Sequence, residues 1–261
     1  MCAESNHTVN TKNEDKFEYL KKEGNSYSFS TKIPFNKIHA LKKETVEKVF
    51  DFSYKMAYSS EGYHRNYRSG GTIERINGQV FANTFQGKIA ECGACNYFYQ
   101  FDTSVCPDFS IEGKGKWDAV DLTVNGTEIA IKSTKDYGQL LLLEKEDWND
   151  KGWYIPNIEK GVYKYDYVAL VRVEPNSEQI MKKHKLLYTE SVDREFLETI
   201  FLEKNWTYDY VGYVTYDELV YIINSNYILP KGALLNGRTL MDADNYYVQG
   251  KDMHPLSELK L

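Results

Sequence analysis

The chain has 261 residues, of which 42% are hydrophobic and 27% charged, as in an ordinary globular protein. Its formal net charge of −6 weighs against a uniformly basic nucleic-acid-binding surface, although a local basic cleft remains compatible with it. No apolar stretch is long enough to span a bilayer, and the polar N-terminus lacks the apolar run of a signal peptide. We therefore expect a cytoplasmic protein that has no membrane partner.

The hydrophobic pattern divides the chain into a polar start and a series of short elements. Residues 1–30 are rich in Lys, Asn and Ser, which predicts a loosely ordered arm. Residues 140–143 are all leucine and fit a buried helix or a strand equally well. The remaining patterns predict helices at residues 41–56, 87–98 and 191–202 and from Thr215, where Thr215 and Glu218 form a capping box, and strands at residues 107–111, 116–124, 127–133 and 163–173.

Four cysteines are spread through the chain, and their simplest interpretation is that they are reduced thiols. Cys92 and Cys95 form a CxxC motif on a predicted helix. No second CxxC and no pair of histidines completes a zinc-binding set. The motif therefore favours two small buried helix residues over a metal or redox pair.

The strongest local signal is the dipeptide Asn125-Gly126 between two strand-like segments, which predicts a tight β-hairpin. A two-residue turn at this point places Val124 opposite Thr127 and Asp121 opposite Ala130. Because side chains alternate between the two faces of a strand, Asp121 shares one face with Glu128, Ala130 and Lys132. Asp121 and Lys132 are then diagonal neighbours whose side chains can meet.

A carboxylate beside a lysine on a sheet has a simple structural explanation, an exposed cross-strand ion pair that contributes little. The strand of Lys132 argues for more than that, because Ile129 and Ile131 flank the lysine and predict an internal strand. A charged side chain is seldom buried in a sheet without a partner or a task.

The order of these motifs resembles the PD-(D/E)xK nuclease superfamily, and within it the chain looks most like a type II restriction endonuclease. The resemblance covers about a third of the chain, residues 87–173. It rests on the segments Gly87-Lys88-Ile89-Ala90-Glu91, Asp121-Leu122 and Ala130-Ile131-Lys132-Ser133-Thr134. It implies an α/β fold of the α+β mixed-sheet kind, in which an αβββαβ core carries added helical N- and C-terminal segments. This order requires a helical connector between the last two core strands.

No linker or internal repeat divides the chain, so we expect one nuclease domain over residues 1–261. Its catalytic core is expected at about residues 87–173. An N-terminal arm and helix (residues 1–86) precede this core, and a C-terminal accessory region (residues 174–261) follows it.

The resemblance assigns a role to each residue of the candidate site. Asp121 is expected to bind Mg²⁺ with Glu91 and the backbone carbonyl of Ile131, while Lys132 holds the attacking water or the scissile phosphate. Ala130 departs from the family pattern, which has an acidic residue at this position. Glu91 is the first candidate for the replacement carboxylate, and the alternatives are Glu146 and Glu128.

Together these features predict a sequence-specific, Mg²⁺-dependent endonuclease that hydrolyses phosphodiester bonds of double-stranded DNA. The resemblance further implies a homodimer and a cognate DNA methyltransferase in the same restriction system. Basic and amide side chains suit contacts with phosphates and base edges, and those expected to bind DNA are His64, Arg65, Asn66, Arg68 and Lys135. The alternatives are a structure-specific DNA junction or repair nuclease and a catalytically silent DNA-binding relative.

Overall fold

The computed structural model describes residue 13 and residues 16–59, 74–110 and 121–261. Within these ranges the protein is a mixed α/β structure with several sheets. Its strands are β1 (Lys21–Glu23), β2 (Ser26–Ser28), β3 (His39–Ala40), β4 (Leu122–Val124), β5 (Thr127–Lys135), β6 (Leu140–Glu144), β7 (Tyr167–Glu174), β8 (Thr207–Thr215), β9 (Ile228–Leu229), β10 (Leu234–Leu235), β11 (Thr239–Leu240) and β12 (Asn245–Gln249). Its helices are α1 (Lys43–Tyr58), α2 (Asn77–Phe98), α3 (Ser177–Lys183), α4 (Arg194–Leu202) and α5 (Tyr216–Asn224).

A five-stranded mixed sheet with the order β3-β8-β7-β5-β4 lies at the centre of the described structure. Strands β5 and β7 are parallel, and the other neighbours in this sheet are antiparallel. The hairpin prediction is confirmed: Val124 pairs with Thr127 and Leu122 with Ile129. Asn125 and Gly126 both have left-handed backbone conformations, with φ angles of 50° and 82°, as a type I′ turn requires.

Two hydrophobic clusters cover the two faces of this sheet. The helix-side cluster includes Ile129 and Ile131 of β5 together with the buried face of α2. The strand-side cluster includes Ala130 of β5 and residues of β6, α5 and β12. The alternation of β5 side chains therefore decides which residues face which layer, with Ala130 and Lys132 on the strand side.

The helix predictions hold in position, and one of them changes in extent. Helix α1 and helix α4 fall within the predicted segments to within a few residues, and the capping box of Thr215 and Glu218 starts helix α5. Helix α2 begins at Asn77 rather than at Gly87, because the buried side chains of Phe81 and Phe85 extend its apolar surface towards the N-terminus. The Gly-Lys-x-x-Glu motif consequently lies in the middle of a helix instead of at its start.

The predicted helical connector between β5 and β7 is wrong. Residues 136–166 contain strand β6 and two short 3₁₀ segments, Lys145–Asp147 and Ile155–Lys160, and no α-helix. The leucines of β6 form a strand because β12, from the far end of the chain, pairs with them along its whole length. The αβββαβ order is thus not reproduced, although the coarser α/β class is confirmed.

The strands expected before the hairpin are described only in part. Residues 107–110 are not in a strand, and Ile111 lies outside the described residues, so the short strand predicted at residues 107–111 is wrong over its described part. Of the strand predicted at residues 116–124, only Leu122–Val124 belongs to a described strand; residues 116–120 lie outside the described ranges.

The loosely ordered arm predicted for residues 1–30 is wrong for residues 17–29. Strands β1 and β2 form a hairpin there, and β2 pairs in parallel with β10. The side chains of Phe17, Leu20 and Tyr27 are buried in the strand-side cluster. Three apolar anchors within a polar segment suffice once the C-terminal region supplies the surface that they bury against.

In the part of the chain that the structure describes, no helix combines the length and the apolar character needed to cross a membrane.

Candidate active site

Asp121 lies immediately before β4, at the edge of the central sheet. Its Oδ2 atom accepts a hydrogen bond from the backbone N–H of Ile131 at 2.7 Å, just past the last β4–β5 pair, Leu122 with Ile129. A charge-assisted hydrogen bond of this kind orients the carboxylate and is about twice as strong as a neutral one. Asp121 is therefore held against the backbone of the residue that precedes Lys132.

The same geometry directs the backbone carbonyl of Ile131 towards this edge. The N–H and C=O groups of one strand residue point to the same side of the strand. Because the N–H of Ile131 faces Asp121, its carbonyl leaves β5 on the Asp121 side as well. A carboxylate and a backbone carbonyl thus lie along one short stretch of sheet edge.

Lys132 is half-buried on the strand side of β5, next to the apolar Ala130. Its Nζ atom lies 5.6 Å from the centre of the Tyr154 ring, at a distance where a cation is attracted by the aromatic face. Among the described residues, Lys132 forms no ion pair with Asp121 or with another carboxylate. The simple explanation of an exposed cross-strand ion pair therefore does not describe this lysine.

A buried tyrosine, Tyr165, belongs to the strand-side cluster together with Ala130. Asn157 donates a hydrogen bond to the hydroxyl oxygen of Tyr165 at 3.2 Å. Burial raises the pKa of this hydroxyl, and the negative charges of Asp121 and Glu128 raise it further.

Of the three candidates for the missing acid, Glu128 has the position that fits best. It shares the strand side of β5 with Lys132, and its Oε2 atom accepts a hydrogen bond from Thr123 at 2.9 Å. Glu146 is exposed on a 3₁₀ segment. Glu128 is thus the candidate that lies on the same face of the β4–β5 hairpin as Asp121 and Lys132.

Glu91 belongs to a different layer of the molecule. It lies on α2, which covers the helix side of the sheet, while Lys132 lies on the strand side. Its carboxylate accepts a hydrogen bond from Lys88, whose ammonium is buried over the rings of Phe52 and Phe109 at 4.9 and 5.8 Å. The described contacts of Glu91 are therefore with the helical layer and not with Asp121 or Lys132.

The residues expected to bind DNA are only partly described. His64, Arg65, Asn66 and Arg68 lie outside the described residues. Lys135 is paired with Glu178 at 2.7 Å, and Lys182 binds the same carboxylate. Burial opposes ionisation of Glu178, but its hydrogen bonds with the two lysines outweigh burial and lower its pKa. Lys135 thus shares one carboxylate with Lys182.

The oxygen donors at this sheet edge suit a hard divalent cation. Mg²⁺ keeps several of its waters and needs only one or two carboxylates, so Asp121, Glu128 and the carbonyl of Ile131 are donors of the right chemistry. In the described ranges, no three acidic, histidine or cysteine side chains gather as a metal-holding group. Any site built here relies on water and backbone oxygen for its remaining ligands.

The sequence reasoning missed the aromatic side of the site. Tyr154, Asn157 and Tyr165 come from the connector between β6 and β7, where a helix was expected. Their signal in the sequence is the density of aromatic residues between Trp148 and Tyr167, which predicts buried surface but not its location.

The interpretation of the CxxC motif agrees with the structure. Cys92 and Cys95 are both buried on α2. Burial raises the pKa of the Cys92 thiol to about 12, and burial also raises that of Cys95. At neutral pH both thiols are therefore protonated and poorly suited to nucleophilic or redox chemistry.

Comparisons with known proteins add no relative to this description. The chain matches no family model, and neither the curated proteins nor the solved structures contain a significant match. The description therefore rests on fold and site alone: a mixed α/β structure in which Asp121, just before β4, and Lys132, on the neighbouring strand β5, lie on one face, and Lys132 has no ion-pair partner among the described residues.

Proposed function

We propose that the chain is a magnesium-dependent nuclease of the type II restriction endonuclease kind, which hydrolyses phosphodiester bonds of double-stranded DNA. One observation carries the proposal. The carboxylate of Asp121 accepts a hydrogen bond from the N–H of Ile131, and the next residue, Lys132, has no ion-pair partner among the described residues. An oxygen-rich edge beside a positive charge suits a phosphodiester, which brings negative charge to the lysine and oxygen atoms to a cation.

In this proposal each residue has a role that follows from its position. Asp121, Glu128 and the Ile131 carbonyl would hold Mg²⁺, which when bound polarises the phosphate and lowers the pKa of a water molecule. Lys132 neutralises a non-bridging phosphate oxygen as a point charge. Attack of water on phosphorus breaks one ester bond and leaves a phosphomonoester and a hydroxyl group.

Cleavage of both strands needs two such sites, and a homodimer supplies them by symmetry. Sequence-specific cutting in a cell also requires a cognate DNA methyltransferase that protects the cell's own recognition sites. The net charge of −6 then demands that the DNA-binding surface be local, because the whole chain repels phosphate.

The test is digestion of plasmid and of branched DNA by the purified protein with Mg²⁺, compared with Asp121→Asn. Asparagine keeps an oxygen that accepts the Ile131 N–H and removes the charge, so folding is retained while the cation site is lost. We expect a loss of cleavage of about 100-fold or more, since several kcal/mol of charge stabilisation disappears.

A matched control is Asp193→Asn, because Asp193 also accepts a backbone N–H at 2.7 Å, from Phe196 at the start of α4. This variant should cut like the wild type. Equal cleavage by wild type and Asp121→Asn would reject the site, and cleavage of branched DNA alone would shift the substrate to junctions.

One observation favours a second candidate, a catalytically silent DNA-binding relative. Ala130, at the position where the family has its acid, is 1% exposed and packs within the strand-side cluster. The position is therefore an apolar contact and offers no open ligand site. DNA binding without cleavage under varied metals, unchanged in Asp121→Asn, would support this candidate over the nuclease.

A further inference from the structure

Helix α3 and the turn after it carry a group of lysines on the helix side of the central sheet. Ile180 and Met181 bury the inner face of the helix in the helix-side cluster. Lys182, Lys183 and Lys185 are exposed. Among the described residues, Lys183 and Lys185 have no ion-pair partner. This basic segment contrasts with the net charge of −6 of the whole chain.

The end of strand β5 lies beside this helix. Lys135 binds one carboxylate oxygen of Glu178 at 2.7 Å, and Lys182 binds the other at 2.5 Å. Two lysines therefore share one carboxylate, and the three groups together keep a positive charge. Because Lys135 and Lys132 are separated by an odd number of positions in β5, their side chains lie on opposite faces of the sheet. The lysines of α3 are thus separate from the Asp121 site.

Two exposed tyrosines border these lysines. Tyr188 follows Lys185 after a short turn and is 64% exposed. Tyr137 is 57% exposed and lies in the tight turn after β5, where the N–H of Gly138 donates to the carbonyl of Lys135 at 2.7 Å. Neither tyrosine ring stacks on another aromatic ring or lies under a cation among the described residues. Both rings therefore have faces that a planar ligand can cover.

At the end of α3, a lysine occupies a position where the backbone favours glycine. The N–H of Leu186 donates to the carbonyl of Met181 at 2.8 Å, and the N–H of Lys185 donates to that of Lys182 at 3.0 Å. This pattern ends a helix with one residue in the left-handed conformation, and Lys185 has a φ angle of 60°. Glycine is usual there because a side chain is strained. The helix end therefore does not explain why the residue is a lysine.

We propose that Lys182, Lys183, Lys185, Tyr137 and Tyr188, here called the α3 surface, bind an unpaired nucleic-acid strand. The bases of such a strand are accessible, and each can stack on an open aromatic ring with little dependence on sequence. The lysines contact the phosphates, and this contribution weakens as the salt concentration rises. An acidic protein segment would use the lysines but would leave the open rings unexplained.

The experiment is fluorescence anisotropy of labelled oligothymidylate and of labelled oligouridylate with the full chain in EDTA, where no metal-dependent cleavage occurs. We expect the wild type to bind at least one of them, and the tighter complex shows whether the strand is DNA or RNA. Binding of neither overturns the proposal. Because the assay measures binding without a cation, its outcome is independent of whether the Asp121 site cuts DNA.

The charge of the α3 surface is tested with Lys183→Gln/Lys185→Gly. Glycine relieves the left-handed position, so the midpoint of urea unfolding should not fall. Binding should weaken about tenfold at low salt, and the slope of log Kd against log salt should decrease by about 1.4, because each phosphate contact with a single strand contributes about 0.7. Lys21→Gln/Lys22→Gln removes the same charge from the exposed strand β1 and should bind like the wild type. Equal weakening in both variants overturns the proposal.

Tyr188→Ala tests the stacking. Loss of the ring should weaken binding of the single strand about tenfold and leave the salt slope unchanged. Tyr188→Phe keeps the ring and should bind like the wild type. A fully paired duplex offers no free base, so Tyr188→Ala should not change its affinity. If Tyr188→Ala binds the strand like the wild type, or if polyglutamate displaces it as well as unlabelled oligonucleotide does, the surface recognises charge alone and the proposal is wrong.

Discussion

The central sheet carries two sets of one acidic and one basic residue, and only one of the two sets forms an ion pair. On β7 and β8, the guanidinium of Arg172 makes a two-point contact with Asp209 and also donates to the carbonyls of Ile33 and Pro34 at 2.8 Å. Arg172 is 1% exposed, and its guanidinium is hydrogen-bonded to the carboxylate and to both carbonyls. At the β4–β5 edge, Asp121 and Lys132 share a face, are half-buried and do not pair with each other.

Under the proposed function, the difference separates a structural ion pair from a site that accepts a ligand. The Arg172–Asp209 pair fixes the segment that includes Ile33 and Pro34 onto the sheet, and a buried charge with its partners complete has nothing left to offer a substrate. The described partners of Asp121 and Lys132 are instead a backbone amide and an aromatic ring, and neither partner neutralises the charge of the side chain. Partner geometry, rather than residue type, distinguishes the two regions.

The largest expected effect in this comparison is on stability, and it concerns the buried Arg172–Asp209 pair. Arg172→Met should lower the free energy of unfolding by about 3–5 kcal/mol, because it leaves the Asp209 carboxylate buried without its partner. Urea titration measures the change. The double variant Arg172→Met/Asp209→Leu should recover part of the lost stability. An Arg172→Met protein as stable as the wild type would contradict a structural role for the Arg172–Asp209 pair.

For Asp121 and Lys132, we expect substitutions to change function more than stability. Lys132→Met removes the ammonium but keeps most of the apolar length of the side chain, so stability should change by less than about 1 kcal/mol. Cleavage under the proposed function should fall by about 100-fold, from the loss of phosphate neutralisation. Single-turnover cleavage and thermal unfolding of the same samples measure both, with Lys22→Met as an exposed lysine control. A stability loss matching that of Arg172→Met would make Lys132 structural.

Two substitutions of Asp121 distinguish the contribution of its hydrogen bond from the contribution of its negative charge. Asp121→Ala leaves the Ile131 N–H without its acceptor and should cost about 1.5–3 kcal/mol of stability, as for other hydrogen bonds to charged groups. Asp121→Asn should cost clearly less, because its side-chain oxygen still accepts. Equal stabilities of the two variants in urea titration would show that the carboxylate does not hold the hairpin edge.

The smallest effect concerns an intermediate case, the partly exposed pair of Lys135 and Glu178. Because the pKa of Glu178 is lowered in the folded state, the pair stabilises the fold above the ordinary glutamate pKa. This contribution is lost as pH falls through the lowered pKa. We expect Glu178→Gln to cost about 0.5 kcal/mol at pH 7 and nothing at pH 2 to 3. A cost that grew towards acid pH would contradict this assignment.

Much of the candidate site could be predicted because it is local in sequence. Asn125 and Gly126 admit the left-handed backbone of a two-residue hairpin, and the turn fixes the register that places Asp121 and Lys132 on one face. The position of Glu91 could not be obtained in this way. It depends on how α2 packs against the sheet, and the packing placed it with Lys88 in the other layer.

The sequence by itself determined what short-range sterics and hydrogen bonds decide: the hairpin and its register, the start of α5 at its capping box, and the burial of the two cysteines on α2. Only the tertiary structure decided the conformation of segments whose local sequence favours no single structure. The leucines of β6 became a strand because β12 pairs with them, and the polar segment around Phe17 became ordered because the C-terminal region covers it. In both cases the free energy comes from contacts between residues about 100 or more positions apart, which no local pattern contains.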